Sequence, residues 1–217
     1  MKIRTINEDD IREVADIEQR VWGEEGATAD QIAARMNTFP LGSIVAELPN
    51  GELAGYAVAQ FVSHISTGSW ADQTDNGMIA KTHRPDGAIA YGVNMSVPPE
   101  GARYGISGAV INYYYDEFIT KGKCSLLCLG SRLPGYRRWH EKYGGSIRNY
   151  LSLTSKGLSI DPELRLYQKN GFRLLWSIPD YFPDNASMNY GAMIGRNPNA
   201  QTASERLEQE TAMIAAD

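Results

Sequence analysis

The run Leu53-Ala-Gly-Tyr-Ala-Val-Ala-Gln-Phe-Val62 constrains this chain more than any other feature. Ten residues with one strongly polar side chain fit a strand covered on both faces, because a strand with a wet face alternates polar and apolar. The segment Ser43 to Leu48 precedes it, and Pro49-Asn50-Gly51 lies between. Asn-Gly is the strongest short hairpin signal, so the two segments pair antiparallel. A sheet covered on both faces needs two helical layers. The 217 residues, 42% of them hydrophobic, are enough to supply these in one large domain. Charged residues are 22%, which excludes a disordered or fibrous chain. The net charge of −5 excludes nonspecific nucleic-acid binding through a basic surface.

Around this strand the punctuation predicts the remaining elements. Residues 3–6 read as an edge strand. Asn7 caps a helix with Asp9 and Asp10 in its first turn, and Ile11, Val14, Ile17 and Val21 form its stripe, broken by Glu18. Thr28-Ala29-Asp30-Gln31 is a capping box, opening a second helix that runs to about Asn37. Residues 63–87, polar apart from Trp70 and Met78, read either as a functional or mobile loop or as a disordered insertion. Ile89 to Val97 is a strand ended by Pro98-Pro99. A helix then opens near residue 105 and Gly122 closes it. Ser125 to Gly130 is a further buried strand, and residues 131–160 form a long connection with helical potential at 136–143. Asp161-Pro162-Glu163 starts a helix that stops at Gly171. Phe172 to Ile178 and Tyr190 to Ile194 are the last strands.

The fold class expected is therefore α/β, with hairpins in the first half and a parallel pair around the strand–helix–strand piece 89–130. This makes a mixed sheet with helices on both faces. One domain spans 1–198, and the Ala/Glu-rich tail 199–217 carries a helix start at Thr202-Ala203-Ser204-Glu205. No apolar run of about 18 residues or leader-like stretch is present, so a cytoplasmic protein with no membrane partner is expected. Cys124 and Cys128 would stand roughly 13 Å apart along a strand, too far for a disulfide, and read as buried thiols. With His64, His83 and His140 they show no metal-ligand spacing, so no metal is expected.

The chemistry concentrates in residues 93–112. A strand gives way to a glycine-containing turn and then a helix, which leaves backbone N–H groups at the positive end of the dipole. That is an anion site suited to phosphate. Gly105 and Gly108 permit close approach, Arg103 adds charge, and Ser107 adds a hydroxyl. An ordinary tight turn would have the same appearance. No Gly-Lys-Ser/Thr follows, so this is not a P-loop, and the dinucleotide fingerprint spacing also fails.

The element order resembles the GNAT superfamily of N-acetyltransferases. In that family the strand ends in a Val-x-Pro-like segment. The turn Arg/Gln-x-x-Gly-x-Gly/Ala follows and holds the pyrophosphate of acetyl-coenzyme A. The corresponding stretch here is Val97-Pro98-Pro99-Glu100-Gly101-Ala102-Arg103-Tyr104-Gly105-Ile106-Ser107. Gly105 matches, Ala102 stands where Arg or Gln is usual, Arg103 is displaced by one, and Ser107 replaces the last small residue. A second match is Leu166-Tyr167-Gln168-Lys169-Asn170-Gly171-Phe172, similar to the family's Leu-Tyr-x-Lys-x-Gly-Phe. A narrower likeness rests on Gly130-Ser131-Arg132-Leu133-Pro134-Gly135-Tyr136, Asp161-Pro162, Tyr181-Phe182-Pro183-Asp184, Tyr190-Gly191 and Asn197-Pro198. These look like the acetyltransferase module joined to carbon–nitrogen hydrolases in some bacterial proteins, here in stand-alone form.

The resemblance implies acetyl-CoA as cosubstrate and an amine of a small molecule or peptide as acceptor. Two parallel strands splay apart and the pantetheine arm lies in the gap. Backbone groups of Met95, Ser96 and Val97 pair with that arm. Arg103, Tyr104, Gly105, Ile106, Ser107 and Gly108, with Arg132, bind the phosphates. Tyr167, a phenol that titrates at about 10 when unperturbed, protonates the leaving thiolate. No carboxylate lies between Asp86 and Glu100 to act as base, which leaves a water chain or a loop residue such as His64, Asp72 or His83. The cluster Arg132, Tyr136, Arg137, Arg138, Trp139 and His140 then faces the cofactor phosphates or walls the acceptor pocket, rather than binding nucleic acid. A monomer or homodimer is expected. A second reading is a catalytically degenerate acyl-CoA-binding sensor or partner module.

Overall fold

The ten-residue apolar run forms an interior strand of the sheet, and every one of its residues is buried. The structure, a computed structural model, describes residues 1–197. The elements in chain order are β1 (Lys2–Thr5), α1 (Ile11–Trp22), α2 (Ala29–Thr38), β2 (Ser43–Glu47), β3 (Leu53–Val62), α3 (Trp70–Thr74), β4 (Ile89–Ser96), α4 (Ile106–Tyr114), β5 (Leu126–Arg132), α5 (Tyr136–Tyr143), α6 (Ile147–Ser152), β6 (Thr154–Ser155), β7 (Leu158–Ser159), α7 (Pro162–Lys169), β8 (Arg173–Ile178) and β9 (Gly191–Arg196). The long strands follow the order β1-β2-β3-β4-β5-β9-β8 in a mixed sheet, as the sequence predicts. The helix expected at Thr202 lies outside the described residues.

The described residues form two compact units: residues 1–66 with 70–127, and residues 67–69 with 128–197. In the first unit β1 to β4 form successive antiparallel pairs. The two faces of β3 are covered by different helices. A Cβ on Gly55 would strike Ile106 of α4, so the glycine there admits close helix-to-strand packing. Its neighbour Tyr56 points the other way, where its hydroxyl lies beside Arg35 of α2 and Glu18 of α1. Burial pushes that hydroxyl up to about 12.

Glu18, the polar break in the stripe of α1, is 1% exposed and belongs to a buried network. Its Oε1 accepts from Asn94 Nδ2 at 2.7 Å and from Ser96 Oγ, and its Oε2 accepts from the Ala27 amide at 2.9 Å. Trp22 Nε1 donates to the same Ser96 hydroxyl at 2.7 Å. A buried charge persists only when hydrogen-bonded in this way, so Glu18 ties α1 to β4 and to the entry of α2. The capping box at Thr28 and Gln31 forms as its spacing requires.

Residues 63–87 are an ordered part of the fold. They contain α3, and Gln73, Thr74, Ile79 and His83 are buried. Gln60 donates to the Gln73 carbonyl at 2.8 Å, fixing the segment to β3. Of the two readings of this loop, the disordered insertion is therefore ruled out. On β4 the pairing steps from Val58–Asn94 to Ala59–Gly92, so Val93 is an extra residue, a β-bulge. Trp70 Nε1 donates to the Val93 carbonyl at 2.9 Å. A bulge bends its strand and raises the local twist, here just before residues 95–97.

In the second unit the strand order is β5-β9-β8, with β8 and β9 antiparallel. Its core is aromatic. Tyr136 packs on Trp139, His140, Tyr150 and Tyr190, with ring centroids 5.4 to 6.5 Å apart. The aromatic part of the basic cluster in 131–160 thus packs inside this unit. The unit also holds α6 and the small β6–β7 hairpin, where the sequence predicts only irregular chain. Cys124 and Cys128 are both buried and form no disulfide with each other.

Candidate active site

The turn after β4 is built in three steps. Pro98 and Pro99 end the strand, and a single 3-10 stretch, Pro99–Tyr104, carries the chain across the end of the sheet. Gly105 then takes a left-handed conformation at φ 66°, ψ 26°, and α4 begins at Ile106. Left-handed backbone favours glycine. A Cβ added at Gly105 would meet nothing within 4 Å, so the space in front of it is open. No side chain caps α4, and its first amides, at Ile106, Ser107 and Gly108, have no acceptor within the helix. Ile106 is fully buried and packs against Val97, Gly55 and Gly101, holding the helix start against the end of β4. Met95, Ser96, Val97 and residues 103–108 thus form one continuous segment of the first unit. Arg103 and Tyr104 are exposed. The Arg103 guanidinium donates to the Tyr104 hydroxyl at 2.7 Å and lies 4.7 Å from that ring's centroid. The side chain of Ser96 is engaged in the Glu18 network, and the residue pairs with Tyr56 of β3.

Of the residues considered as a base, His64 is exposed and Asp72 is exposed on α3. His83 is buried. The Phe61 amide donates to its Nδ1 at 3.1 Å, and its ring stacks on Phe39 at 4.4 Å. Burial, then the nearby Arg84, pushes its pKa down, so this histidine is a neutral core residue. Glu18 brings a carboxylate to β4 from α1, outside the strand's own sequence. Both of its oxygens accept hydrogen bonds from the fold.

The second unit holds Tyr167 and Arg132. Asp161 caps α7, accepting from the Glu163 and Leu164 amides at 3.0 and 3.3 Å and from the Tyr150 hydroxyl at 2.8 Å. That cap fixes a helix on which Glu163 and Tyr167, four residues apart, share a face. The Tyr167 ring meets Phe172 edge-on at 5.5 Å. Its hydroxyl makes no hydrogen bond among the described residues. Desolvation, followed by Glu163 and Tyr181, raises its pKa well above that of a free phenol, so it is protonated at neutral pH. In the sequence Glu163 reads only as part of the Asp161-Pro162-Glu163 helix start. Its Oε2 accepts from Ser131 Oγ at 3.1 Å, while Oε1 has no partner among the described residues. Burial pushes its carboxyl up to about 7. The spacing Glu-x-x-x-Tyr was the available signal. Arg132 of β5 lies over Phe182, 4.1 Å from the ring centroid.

No group of three or more His, Cys, Asp or Glu among the described residues could hold a metal ion. No helix among them is long and apolar enough to cross a membrane.

No family model matches the chain. It is 30% identical over 207 residues to YkwB of Bacillus subtilis, named an uncharacterized N-acetyltransferase, covering 89% of this chain and 87% of that protein. It is 29% identical over 202 residues to a probable hydrolase, YhcX, of the same organism. That match covers 91% of this chain but only 38% of YhcX, so the chain spans well under half of that longer protein. Among solved structures, the GphF GNAT-like decarboxylase in complex with isobutyryl-CoA has the same fold, with a TM-score of 0.76 at 21% identity over 91% of this chain and 99% of that one. Likeness to YkwB along most of both chains, together with the mixed sheet, shows the family: the chain belongs to the GNAT superfamily of N-acetyltransferases and is an acyltransferase.

Proposed function

We propose that the protein transfers an acetyl group from acetyl-CoA to an amine of a small molecule or peptide by direct attack, with residues 1–198 as the transferase domain. The observation that carries this reading is the uncapped start of α4 behind a left-handed Gly105 facing open space. The diphosphate of the cofactor rests on the amides of Ile106, Ser107 and Gly108, where helix dipole and free N–H groups favour an anion. Arg103, Tyr104 and the Ser107 hydroxyl add contacts there, and Arg132 adds positive charge. Backbone groups of Met95, Ser96 and Val97, just past the bulge at Val93, pair with the pantetheine arm.

Acetyl transfer needs a neutral amine, a donor for the developing oxyanion, and a proton for the departing thiolate. Tyr167, protonated and with a hydroxyl that has no hydrogen-bond partner among the described residues, supplies that proton. Holding both reactants in one site removes part of the entropic barrier. Cys124 and Cys128, buried and not joined in a disulfide, fit a reducing cytoplasm. The test is acetyl-CoA turnover with a panel of primary amines and peptide N-termini, read as free thiol. Amine-dependent thiol release supports the reading. Thermal stabilisation by CoA with no thiol release from any acceptor would instead mark a sensor or partner module.

A further inference from the structure

The reaction proposed above leaves the base unassigned, and α7 offers one. We propose that Glu163 is a further catalytic residue, taking the proton of the acceptor ammonium and passing it on to Tyr167. This inference rests on the acetyl-transfer reading. Three observations in the second unit carry it. Glu163 and Tyr167 are one turn apart on the same face of α7, and a helix sets such side chains about 5–6 Å apart at Cβ. One carboxylate oxygen is held by Ser131 Oγ, which fixes the group, and the other has no partner among the described residues. Third, the charge on Glu163 and the proton on Tyr167 are coupled, because the negative carboxylate raises the Tyr167 pKa.

The groups facing Glu163 are Ser131 and Arg132 of β5, Asp161 at the cap of α7, and Asp184 after β8. Burial outweighs them all in lifting the carboxyl to about 7. Tyr181 and Glu163 are the charged or titratable neighbours of Tyr167. A carboxylate of that affinity can accept a proton and release it at neutral pH, which one held near the usual carboxylate range does poorly.

The proton count closes. Glu163 takes the first proton from the ammonium, leaving an electron pair on nitrogen that forms the N–C bond to the thioester carbonyl. Neutralising Glu163 removes the charge that held the Tyr167 proton in place. As the C–S bond breaks, its electron pair stays on sulfur, and sulfur takes the Tyr167 proton. No direct hydrogen bond joins the two groups, so the tyrosinate takes back the proton stored on Glu163 through one intervening water. The carboxylate thus restored accepts the second nitrogen proton and releases it to water. The net change is one ammonium and one thioester converted to one amide, one thiol and one solvent proton.

The experiment compares wild type with Glu163→Gln in the full chain. Acetyl transfer is followed from pH 5.5 to 9 with the amine panel and with hydroxylamine, which reaches the site uncharged at pH 7. Calorimetric titration with CoA and a carbon-13 titration of glutamate-labelled protein accompany it. Wild type should show a glutamate carboxyl titrating near 7 and a kcat/KM limb with the same midpoint. Glu163→Gln should lose both and fall roughly a hundredfold on alkylamines. Its loss on hydroxylamine should be at least about tenfold smaller, because no proton must be removed before attack. Superimposable pH profiles for the two proteins, or a Glu163 carboxyl titrating near its ordinary 4.5, would overturn the proposal. Wild type that fails to bind CoA, or binds it and acetylates neither the amines nor hydroxylamine, would instead overturn the acetyl-transfer reading, and this inference with it.

Discussion

At the scale of single residues, Tyr167 and Glu163 show why environment decides role. Both sit on a helix that would be unremarkable by composition. Tyr167→Phe keeps the ring that meets Phe172 and removes only the hydroxyl. It should therefore leave CoA affinity unchanged and lower turnover at least about tenfold, as loss of a general acid does. Equal turnover in the variant would remove the acid role. Glu163 also has a signature in stability. Its folded pKa of about 7 lies above the ordinary 4.5. The contribution of such a group is fully present below about pH 4.5 and is lost as pH rises through 7, because ionising it when buried is unfavourable. Glu163→Gln should therefore melt higher than wild type at pH 8, and the gap should narrow toward pH 4.5. Thermal melts across that range check this; a pH-independent difference contradicts it.

At the scale of elements, what was legible followed from local patterns. The capping boxes, the apolar run of β3 and the Asp161-Pro162 start of α7 all carry their cause within a few residues. The bulge at Val93 left no local mark, because it depends on how β4 meets β3 and Trp70. Glu18 looked like an interruption of the α1 stripe because its partners, Asn94 and Ser96, are more than 70 residues away. Removing it would leave three donors of the buried network without their acceptor. Glu18→Ala should destabilise the protein by about 3–5 kcal/mol, within the range for breaking a buried charged network. Urea denaturation measures it, and a loss under about 1 kcal/mol would show that the network is replaceable. The small elements of the second unit, α6 and the β6–β7 hairpin, were missed for a different reason. Ser146-x-x-Asn149 does cap α6, but six residues give too short a pattern to stand out from loop chain.

At the scale of the whole molecule, sequence and structure agree on the mixed sheet and on a glycine turn that opens a helix. The family assignment adds acyl transfer. The carboxylate proposed here to act with Tyr167 is not legible as such in the sequence, since Glu163 lies on the helix of Tyr167 and not on β4. The turn itself can be tested without knowing the acceptor. Gly105→Glu puts a carboxylate before the helix start, where an added Cβ meets nothing within 4 Å; the charge opposes a diphosphate, and the change also strains a left-handed backbone position. Calorimetry should find CoA binding abolished in a variant that still folds. Normal affinity would refute the site.

The central claim is that α4 receives the diphosphate of coenzyme A. A titration of nitrogen-15-labelled protein with CoA, followed through the backbone amides, tests it most directly. The amides of Ile106, Ser107 and Gly108 should shift most, with Met95 to Val97 next. Saturable binding that leaves residues 105–108 unmoved and shifts amides elsewhere would contradict the account.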